Sequence, residues 1–398
     1  MHIVVLGGGG AMGRITVREL AEHPSVTRVT VADLNPQAAQ RVVDALPTGR
    51  EKCQVVACNV KEHDALVALL SGAGAALNAT DYYFNLEVMR AAASARVHYA
   101  DLGGLFHKSR EQLALDGLYK EHGLTAIAGI GSTPGITNIL ARLAADKLER
   151  VERIEVRVGS GDFGPSDAPF AAPYSIRTIL DECMKEPYVF DNGDWQAVQP
   201  LSGQEAIEFP APVGRATSMY TLHSEVALFP ISFRDKGIQH ASFKIAFPPE
   251  FLRKLAFLVS LGLGQTEPVS VRGLGGGGQV SVAPRDVLVA LLAQRASSAA
   301  SEPADCDILR VIVSGGRDGQ PVELTEQMIV LPFKRWGIAA GDADTGIPLA
   351  IAGRMLASGA ITRRGVAGAE ALIDPAAFLR ELAQYDMHVT ETVTVAVS

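Results

Sequence analysis

The stretch HIVVLGGGGAMGRI, residues 2–15, decides how the rest of the chain is interpreted. A short aliphatic run typical of a buried parallel strand stops at four glycines, and AMGRITVRELAEH then has the apolar spacing of a helix. A diphosphate reaches the backbone N–H groups at a helix N-terminus only where no Cβ stands in the way. The G-x-G-x-x-G spacing therefore predicts a dinucleotide-binding turn made of Gly8, Gly10, Ala11, Met12 and Gly13.

The next predicted strand, VTRVTVAD, ends in Asp33. An acidic residue about twenty positions after the glycines accepts hydrogen bonds from the adenosine ribose, and it repels the 2′-phosphate of NADP. No arginine follows immediately, so we predict NAD rather than NADP as the cofactor. Asp33 could instead cap the next helix, but Asn35 and Pro36 already supply a cap and a first-turn proline.

Strand and helix patterns go on alternating with short connections up to about residue 132, which predicts an α/β, Rossmann-type doubly wound parallel sheet over residues 1–132. Ligands gather at the carboxyl ends of such strands. We expect Asn59 to face the adenine there. The turn of Asn78, Ala79 and Thr80 is expected to lie along the ribose and the nicotinamide.

A different pattern begins near residue 151 and predicts an inserted α+β substrate domain over residues 133–343, with a mostly antiparallel sheet. The segments TSMYTLHSEVALF and HASFKIAF alternate apolar and polar residues, which predicts strands with His223, Glu225 and Lys244 on a polar face covering the cofactor cleft. The helical patterns of residues 344–398 are expected to rejoin the first domain.

Composition narrows the functional class. The net charge is −8, and no basic block exceeds the pair Arg363 and Arg364, so we expect no nucleic-acid partner. No apolar run is long enough for a membrane helix, and we expect no membrane partner. Four cysteines without CxxC spacing and the absence of a signal-peptide pattern predict a cytoplasmic protein. No His, Asp or Glu cluster has metal-ligand spacing, so no metal is expected.

Several longer segments resemble the saccharopine dehydrogenase-like family, and within it most closely the lysine 6-dehydrogenases. They are NLEVMRAAASARVHYADLGG, GSTPGITNILA, PYSIRTILDE, TLHSEVALFP, GIQHASFKIAFPPEF, PRDVL and TGIPLAIAGRML. The resemblance spans nearly the whole chain. It implies a nicotinamide-dinucleotide lobe, an inserted substrate lobe used in dimerisation, and a homodimer or larger homo-oligomer.

The activity that this resemblance implies is NAD-dependent oxidation of an amino acid at a CH–NH2 group, with L-lysine at its ε-carbon as the first choice and a semialdehyde or cyclic imine as product. The substrate ammonium must lose a proton before hydride leaves, so a nearby base is needed. His223 and Glu225 are the candidates for base and ammonium anchor. Arg177 and Lys244 are the candidates for the substrate carboxylate, and Asp101 for the amine.

Each candidate also has a structural alternative. His223 could be an ordinary sheet residue, Glu225 could pair with Lys244 or Arg177, and Asp101 could cap a helix. Two other functions stay open at this point. One is a saccharopine- or carboxynorspermidine-type reductase that joins an amine and a carbonyl with NADPH. The other is a non-catalytic NAD-binding sensor or scaffold.

Overall fold

The computed structural model describes residues 1–163, 170, 172–273, 278–295 and 302–395, which form two lobes. Of the glycine run at 275–278, for which the sequence suggests no role, only Gly278 is among them. Across these ranges no helix combines the length and the apolar composition that crossing a bilayer requires.

The first lobe is built, within the described ranges, on a sheet of seven parallel strands. They are β1 (His2–Leu6), β2 (Arg28–Asp33), β3 (Cys53–Ala57), β4 (Ala75–Asn78), β5 (His98–Asp101), β6 (Thr125–Ile127) and β17 (Gly365–Ala367), in the spatial order β17-β6-β5-β4-β1-β2-β3. The helices between them are α1 (Ala11–Glu22), α2 (Pro36–Asp44), α3 (His63–Leu70), α4 (Asn85–Ser94), α5 (Leu105–Leu113) and α6 (Asp116–Glu121). The strand order reverses at β1, and the crevice at such a reversal is where doubly wound sheets bind ligands. The Rossmann-type prediction is confirmed.

The second lobe carries, in the described part of the chain, a mixed sheet of nine strands. They are β7 (Arg150–Asp162), β8 (Tyr188–Asp191), β9 (Asp194–Ala197), β10 (Glu205–Glu208), β11 (Arg215–Tyr220), β12 (His240–Ala246), β15 (Asp305–Arg317), β16 (Gln320–Val330) and β18 (Val389–Val395). The main path runs β10-β11-β12-β7-β15-β16-β18, with β8 and β9 beside β12, and β7 with β12 is the parallel pair. A separate small sheet consists of β13 (Val269–Arg272) and β14 (Gln279–Val282). The mostly antiparallel prediction is confirmed.

Helices connect the strands of the second lobe. They are α7 (Ile136–Ala145), α8 (Ile176–Met184), α9 (Glu225–Ser232), α10 (Pro249–Ser260) and α11 (Pro284–Arg295). Of these, α7 and α9 pack against the large sheet of this lobe. Buried side chains of α7, such as Ile139, share one core with Ile154, Val156 and Phe243 of the sheet. The face of the sheet turned toward α7 is therefore apolar.

The C-terminal segment contributes to both lobes. Its helices are α12 (Ala340–Ala357), α13 (Ala369–Leu372) and α14 (Pro375–Leu382). The helix α12 packs along α1, and β17, a strand that the sequence analysis did not predict, extends the first sheet. The strand β18, however, pairs with β16 in the second sheet, which the expectation of helices returning to the first lobe missed.

One strand prediction is wrong. TSMYTLHSEVALF is not a continuous strand, because β11 ends at Tyr220 and α9 begins at Glu225. Residues 221–230 are all buried, and a helix that is buried on every side shows no 3.6-residue apolar period. The apparent alternation around His223 therefore did not reflect a strand.

Candidate active site

The glycine turn between β1 and α1 is shaped by close backbone packing. A Cβ on Gly13 would lie 2.1 Å from the carbonyl oxygen of Gly7, and one on Gly9 would lie 2.8 Å from the nitrogen of Ala39. The N–H groups of Ala11, Met12 and Gly13, at the start of α1, donate to no acceptor within the described residues. This cradle fits a diphosphate, because a helix N-terminus offers free donors and partial positive charge to an anion.

Asp33 lies directly over this turn. Its Oδ2 accepts a hydrogen bond from the Gly9 N–H at 2.9 Å, and its Oδ1 accepts one from the Asn35 N–H at 2.8 Å. The side chain of Asn35 caps α2 by accepting from the Ala38 N–H, so Asp33 is not the cap of that helix. Its carboxylate retains lone pairs that can accept from ribose hydroxyls.

The other predicted cofactor residues follow neighbouring strands. Asn78 is buried, and its Oδ1 accepts from the Thr80 hydroxyl at 2.6 Å, so it holds the turn rather than pointing into the crevice. A Cβ on Gly7 would lie 2.8 Å from the Ala79 carbonyl oxygen, which places Ala79 against the glycine turn. Asn59 follows β3 and accepts from the Lys61 N–H at 3.2 Å, beside the end of the Asp33 strand.

His223 and Glu225 are close together, although on a loop and a helix start rather than on a strand. The Nδ1 atom of His223 lies 2.5 Å from Oε2 of Glu225, and Oε1 of Glu225 accepts from the Thr137 hydroxyl at 2.8 Å. The imidazole also stacks on Phe243, with ring centroids 3.7 Å apart. His223 is only 5% exposed, so its ring is held in one orientation.

Glu182, on α8, is the site residue that the sequence analysis missed. Its Oε1 lies 3.8 Å from Nε2 of His223, and its Oε2 accepts from the Tyr174 hydroxyl. Burial raises the pKa of the Glu182 carboxyl to about 7. The residue belongs to the PYSIRTILDE segment already singled out, but nothing in the linear sequence distinguishes it from its neighbours in that helix.

The electrostatics around His223 favour its protonated form. Burial alone lowers the pKa of the imidazole, but the Glu225 and Glu182 carboxylates outweigh it and raise that pKa above its ordinary value. Nε2 makes no hydrogen bond to any described residue and faces Glu182 across 3.8 Å. This nitrogen is therefore available to exchange a proton with a bound substrate.

His223 also lies beside the first lobe. The neighbouring Ser224 Oγ is 3.4 Å from the Gly104 nitrogen, just after the carboxyl end of β5, and Thr137 belongs to the helix that follows β6. The strands β4, β5 and β6 lie on the opposite side of β1 from Asp33. The Asp33 carboxylate and the buried imidazole of His223 thus lie at opposite halves of the sheet.

The lobes are also joined through Asp181, the neighbour of Glu182. Asp181 accepts from the Tyr82 hydroxyl at 2.6 Å, from the Tyr83 hydroxyl, and from Arg285 at 2.7 Å. Both tyrosines belong to the turn after β4 of the cofactor lobe. These contacts hold α8, and with it Glu182, close to the first lobe.

Asp101 stabilises the turn that follows β5 through hydrogen bonds of its side chain. Its Oδ1 accepts from the Gly103 N–H at 2.7 Å and its Oδ2 accepts from the Gln112 side chain. Burial raises the pKa of the Asp101 carboxyl to about 6. Since the carboxyl is fully buried with internal donors, the structure favours the structural alternative over contact with a substrate amine.

Lys244 does not lie beside His223 in the structure. It alternates along β12 with Phe243, so it lies on the opposite face of the sheet from the stacked imidazole. There it pairs with Glu205 at 2.6 Å, beside Arg157 on the neighbouring strand. The expectation that the polar face of this sheet covers the cofactor cleft is corrected: the apolar face carries the imidazole.

Arg177 forms an ion pair with Asp286 at 2.7 Å, with the two side chains 32% and 58% exposed. Exposed pairs of this kind contribute little, so Arg177→Ala should change kcat/KM by less than about twofold and the free energy of unfolding by less than about 1 kcal/mol. Steady-state assays and urea unfolding would measure both quantities. A tenfold rise in the KM for a carboxylate substrate would instead restore Arg177 as its anchor.

The sequence of this chain is similar to those of known proteins over nearly its whole length. The model of the saccharopine dehydrogenase NADP binding domain matches residues 3–127, and that of the saccharopine dehydrogenase C-terminal domain matches residues 131–387. The chain is 24% identical over 400 residues to the carboxyaminopropylagmatine dehydrogenase of Synechocystis, covering 96% of each chain. It is 25% identical over 422 residues to the carboxynorspermidine synthase of Vibrio alginolyticus, covering 98% of this chain and 97% of that one.

Among solved structures, the apo saccharopine dehydrogenase (L-Glu forming) of Saccharomyces cerevisiae superposes with a TM-score of 0.72 at 17% identity, covering 99% of both chains. That similarity shows the fold. The two family models together span both lobes and nearly the whole length. The chain therefore belongs to the saccharopine dehydrogenase family and is an oxidoreductase with a nicotinamide-cofactor lobe.

Proposed function

We propose that this protein reductively joins an amine to a carbonyl compound, using hydride from a reduced nicotinamide cofactor. The amine and the carbonyl would condense to an imine with loss of water, and hydride plus a proton would reduce the imine to a secondary amine. The full-length similarity to a carboxynorspermidine synthase and a carboxyaminopropylagmatine dehydrogenase supports this reaction type.

The observation that carries the proposal is the buried imidazole of His223 between Glu225 and Glu182. The attacking amine must lose a proton and the departing hydroxyl must gain one, and His223 Nε2 is placed to move that proton. The adjacent carboxylates favour the positive charge of a protonated imine in a site with little water. The cofactor, when bound at the glycine turn, supplies the hydride.

The expectation of L-lysine oxidation gains no support from these relatives. Their names refer to carboxyaminopropylagmatine and carboxynorspermidine. The purely NAD-sensing alternative also leaves the buried imidazole–carboxylate arrangement unexplained. Cytoplasmic location and homo-oligomerisation stay predictions.

The reaction type is tested with purified protein, reduced cofactor and a panel of amines that includes diamines, agmatine and L-lysine. Each amine is offered with and without an amino-acid aldehyde or a 2-oxo acid. Nicotinamide absorbance should fall only when both an amine and a carbonyl are present, and mass spectrometry should detect the secondary amine. Reduction of NAD by lysine alone, with no turnover of any pair, would contradict the proposal.

We also propose NAD(H) as the preferred cofactor, because the Asp33 carboxylate would repel a 2′-phosphate. Asp33→Ser should raise the ratio of kcat/KM for NADPH over that for NADH by about tenfold or more, which corresponds to about 1.4 kcal/mol. Asp44→Asn, at the end of α2, removes the same charge away from the turn and should leave the ratio unchanged. A wild-type preference for NADPH would refute the choice of cofactor, and a ratio unaltered by Asp33→Ser would refute the role of this carboxylate.

A further inference from the structure

We propose that a pocket at the C-terminal end of α1 binds a small amino acid as a zwitterion. The pocket, here called the α1 pocket, has a volume of about 400 Å³. Charged and aromatic side chains from α1, from the loop before α12 and from the turn after α14 line it, among them Arg18, Glu19, Glu22, Arg335, Trp336 and Tyr385. Neither family model nor any named relative assigns it a role, and the inference does not rest on the proposed reaction.

The α1 pocket lies at the opposite edge of the first sheet from the cofactor crevice. The helix α1 begins at the glycine turn, after the carboxyl end of β1, and ends at Glu22. A few residues later the Thr27 N–H donates to the Met1 carbonyl oxygen at 2.9 Å, so the chain leaving α1 lies beside the start of β1. A ligand in this pocket would therefore not overlap a dinucleotide bound at the carboxyl ends of the strands.

Glu19, on α1, has a buried carboxylate oxygen without a hydrogen-bond donor. The residue is 1% exposed. Its Oε1 accepts from Arg354 at 2.9 Å and from the Tyr385 hydroxyl at 3.0 Å, whereas no described residue donates to its Oε2. Burial raises the pKa of this carboxyl in spite of the neighbouring Arg354 guanidinium. Because buried polar atoms are nearly always hydrogen-bonded, Oε2 indicates a place for a donor that the chain does not supply.

Arg335 is a cation that forms no ion pair with any residue in the described ranges. Its guanidinium carbon lies 4.9 Å from the ring centroid of Phe333 and 5.9 Å from that of Tyr385. Tyr385 thus lies next to both groups, since its ring is near Arg335 and its hydroxyl donates to Glu19. One small molecule beside this tyrosine can reach the guanidinium and the carboxylate together.

The mixture of charges in the α1 pocket favours a zwitterion over a simple anion or cation. Arg18 pairs with Glu22 at 2.8 Å, so neither sign of charge dominates the wall. A phosphate would be repelled by Glu19 and Glu22, and a diamine would be repelled by Arg18 and Arg335. An α-amino acid carries an ammonium and a carboxylate on the same carbon. It can donate to Glu19 Oε2 and accept from Arg335, and both contacts are charge-assisted hydrogen bonds.

The apolar part of the wall indicates the kind of side chain that the amino acid carries. The rings of Trp336 and Tyr385 meet edge to face with their centroids 5.7 Å apart, and Pro24 and Pro47 add exposed apolar surface. Apolar walls with a few polar groups are typical of small-molecule sites, whose volumes are about 300–1,000 Å³. An aromatic side chain suits these walls, and L-phenylalanine is therefore the probe.

Binding is tested on the full-length protein by calorimetric titration and by tryptophan fluorescence. The chain has two tryptophans, so Trp195→Phe leaves Trp336 as the only one and its emission reports on the α1 pocket. L-phenylalanine should bind about tenfold or more tightly than 2-phenylethylamine, which lacks the carboxylate, and 3-phenylpropionate, which lacks the ammonium. Equal affinities of the three probes, or no binding at millimolar concentration, would overturn the proposal.

Arg335→Gln tests the contact with the carboxylate. It should raise the Kd of L-phenylalanine by about tenfold or more and leave that of 2-phenylethylamine unchanged. The matched control is Lys334→Gln, which removes a neighbouring exposed charge that does not line the pocket and should change neither Kd. An equal loss of affinity in the two variants would show a general effect of charge and would count against the site.

Glu19→Gln tests the contact with the ammonium. Its amide oxygen can still accept from Arg354 and Tyr385, but its NH2 group would face the ammonium, so L-phenylalanine should bind about tenfold or more weakly and 3-phenylpropionate as before. If this variant does not fold, Glu22→Gln is measured in its place with the same expected result. His223→Asn should bind L-phenylalanine as the wild type does. Unchanged affinity in the glutamate variant, or lost affinity in His223→Asn, would refute the α1 pocket as the binding site.

Discussion

Replacing His223 by asparagine should lower kcat/KM by about 10²–10⁴-fold while leaving cofactor affinity within about twofold, because it removes proton transfer at Nε2 and leaves the glycine turn intact. Asparagine is a compact polar replacement that can still donate a hydrogen bond to Glu225. The loss should therefore appear in kcat and not in folding. Steady-state kinetics and calorimetric titration with the cofactor measure the two quantities.

The matched control is His240→Asn. His240 pairs with Asp191 on the second sheet and is 29% exposed, so this variant removes an imidazole from a carboxylate outside the site. Its kcat/KM should stay within about twofold of wild type. A His223→Asn enzyme that retains more than about a third of wild-type kcat, at a pH where wild type is fully active, would show that this imidazole does not transfer the proton.

The pH profile identifies the role of His223 more closely. The neighbouring carboxylates raise the pKa of its imidazole, so the proton is present at low pH and is lost as pH rises through that raised pKa. Reductive activity that needs the imidazolium should fall on this alkaline side. Glu182→Gln removes one of the carboxylates that raise the pKa, so the alkaline limb should move to lower pH. If the alkaline limb of the Glu182→Gln profile stayed at the same pH as in wild type, the assignment of that limb to His223 would be contradicted.

Gly13→Ala should raise the dissociation constant of the cofactor by about a hundredfold or more, equivalent to about 2.7 kcal/mol. The new Cβ would lie 2.1 Å from the Gly7 carbonyl oxygen and 2.9 Å from the Gly8 Cα. Both atoms are backbone, so α1 must move away from the turn and its first N–H groups lose their alignment. Fluorescence or calorimetric titration with reduced cofactor measures the effect.

Gly117→Ala is the control for that measurement. Gly117 lies in α6, and a Cβ there meets no heavy atom within 4 Å apart from its chain neighbours and the backbone of its own helix. Cofactor affinity and Tm should both stay near wild-type values. If Gly13→Ala bound the cofactor within about threefold of wild type, the diphosphate would have to lie elsewhere and the assignment of the turn would fail.

Much of the first lobe was accessible from the sequence because its determinants are local. The Gly8–Gly13 spacing, the acidic residue at the end of the second strand and the alternation of strand and helix all act over short stretches of chain. The sequence analysis named His223 and Glu225 together as candidates for base and ammonium anchor, and they lie close together because residues two apart are near each other in almost any backbone conformation. Their secondary structure was wrong, because complete burial removes the periodic signal.

Glu182, the carboxyl group opposite His223, could not be predicted from local sequence patterns. Glu182 lies on α8, far from His223 along the chain, and contacts between distant segments place it, among them Asp181 with Tyr82 and the Glu182 carbonyl with the Leu222 N–H. Packing between distant segments also decides which face of the second sheet is turned toward His223, and therefore that Lys244 lies on the other face. The alternation along a strand shows that Lys244 and Phe243 point to opposite faces of the sheet. It does not show which of the two faces is turned toward His223.

By itself, the sequence determined a doubly wound nucleotide-binding lobe, a mostly antiparallel second lobe and the glycine turn between the first strand and the first helix, since short-range sterics and apolar periodicity specify them. Only the tertiary structure decided that His223 lies between the carboxyl groups of Glu225 and Glu182, and that Lys244 lies on the opposite face of the sheet from that imidazole. Those outcomes depend on contacts between segments far apart in the chain, and such contacts are set by how whole elements pack rather than by any local pattern.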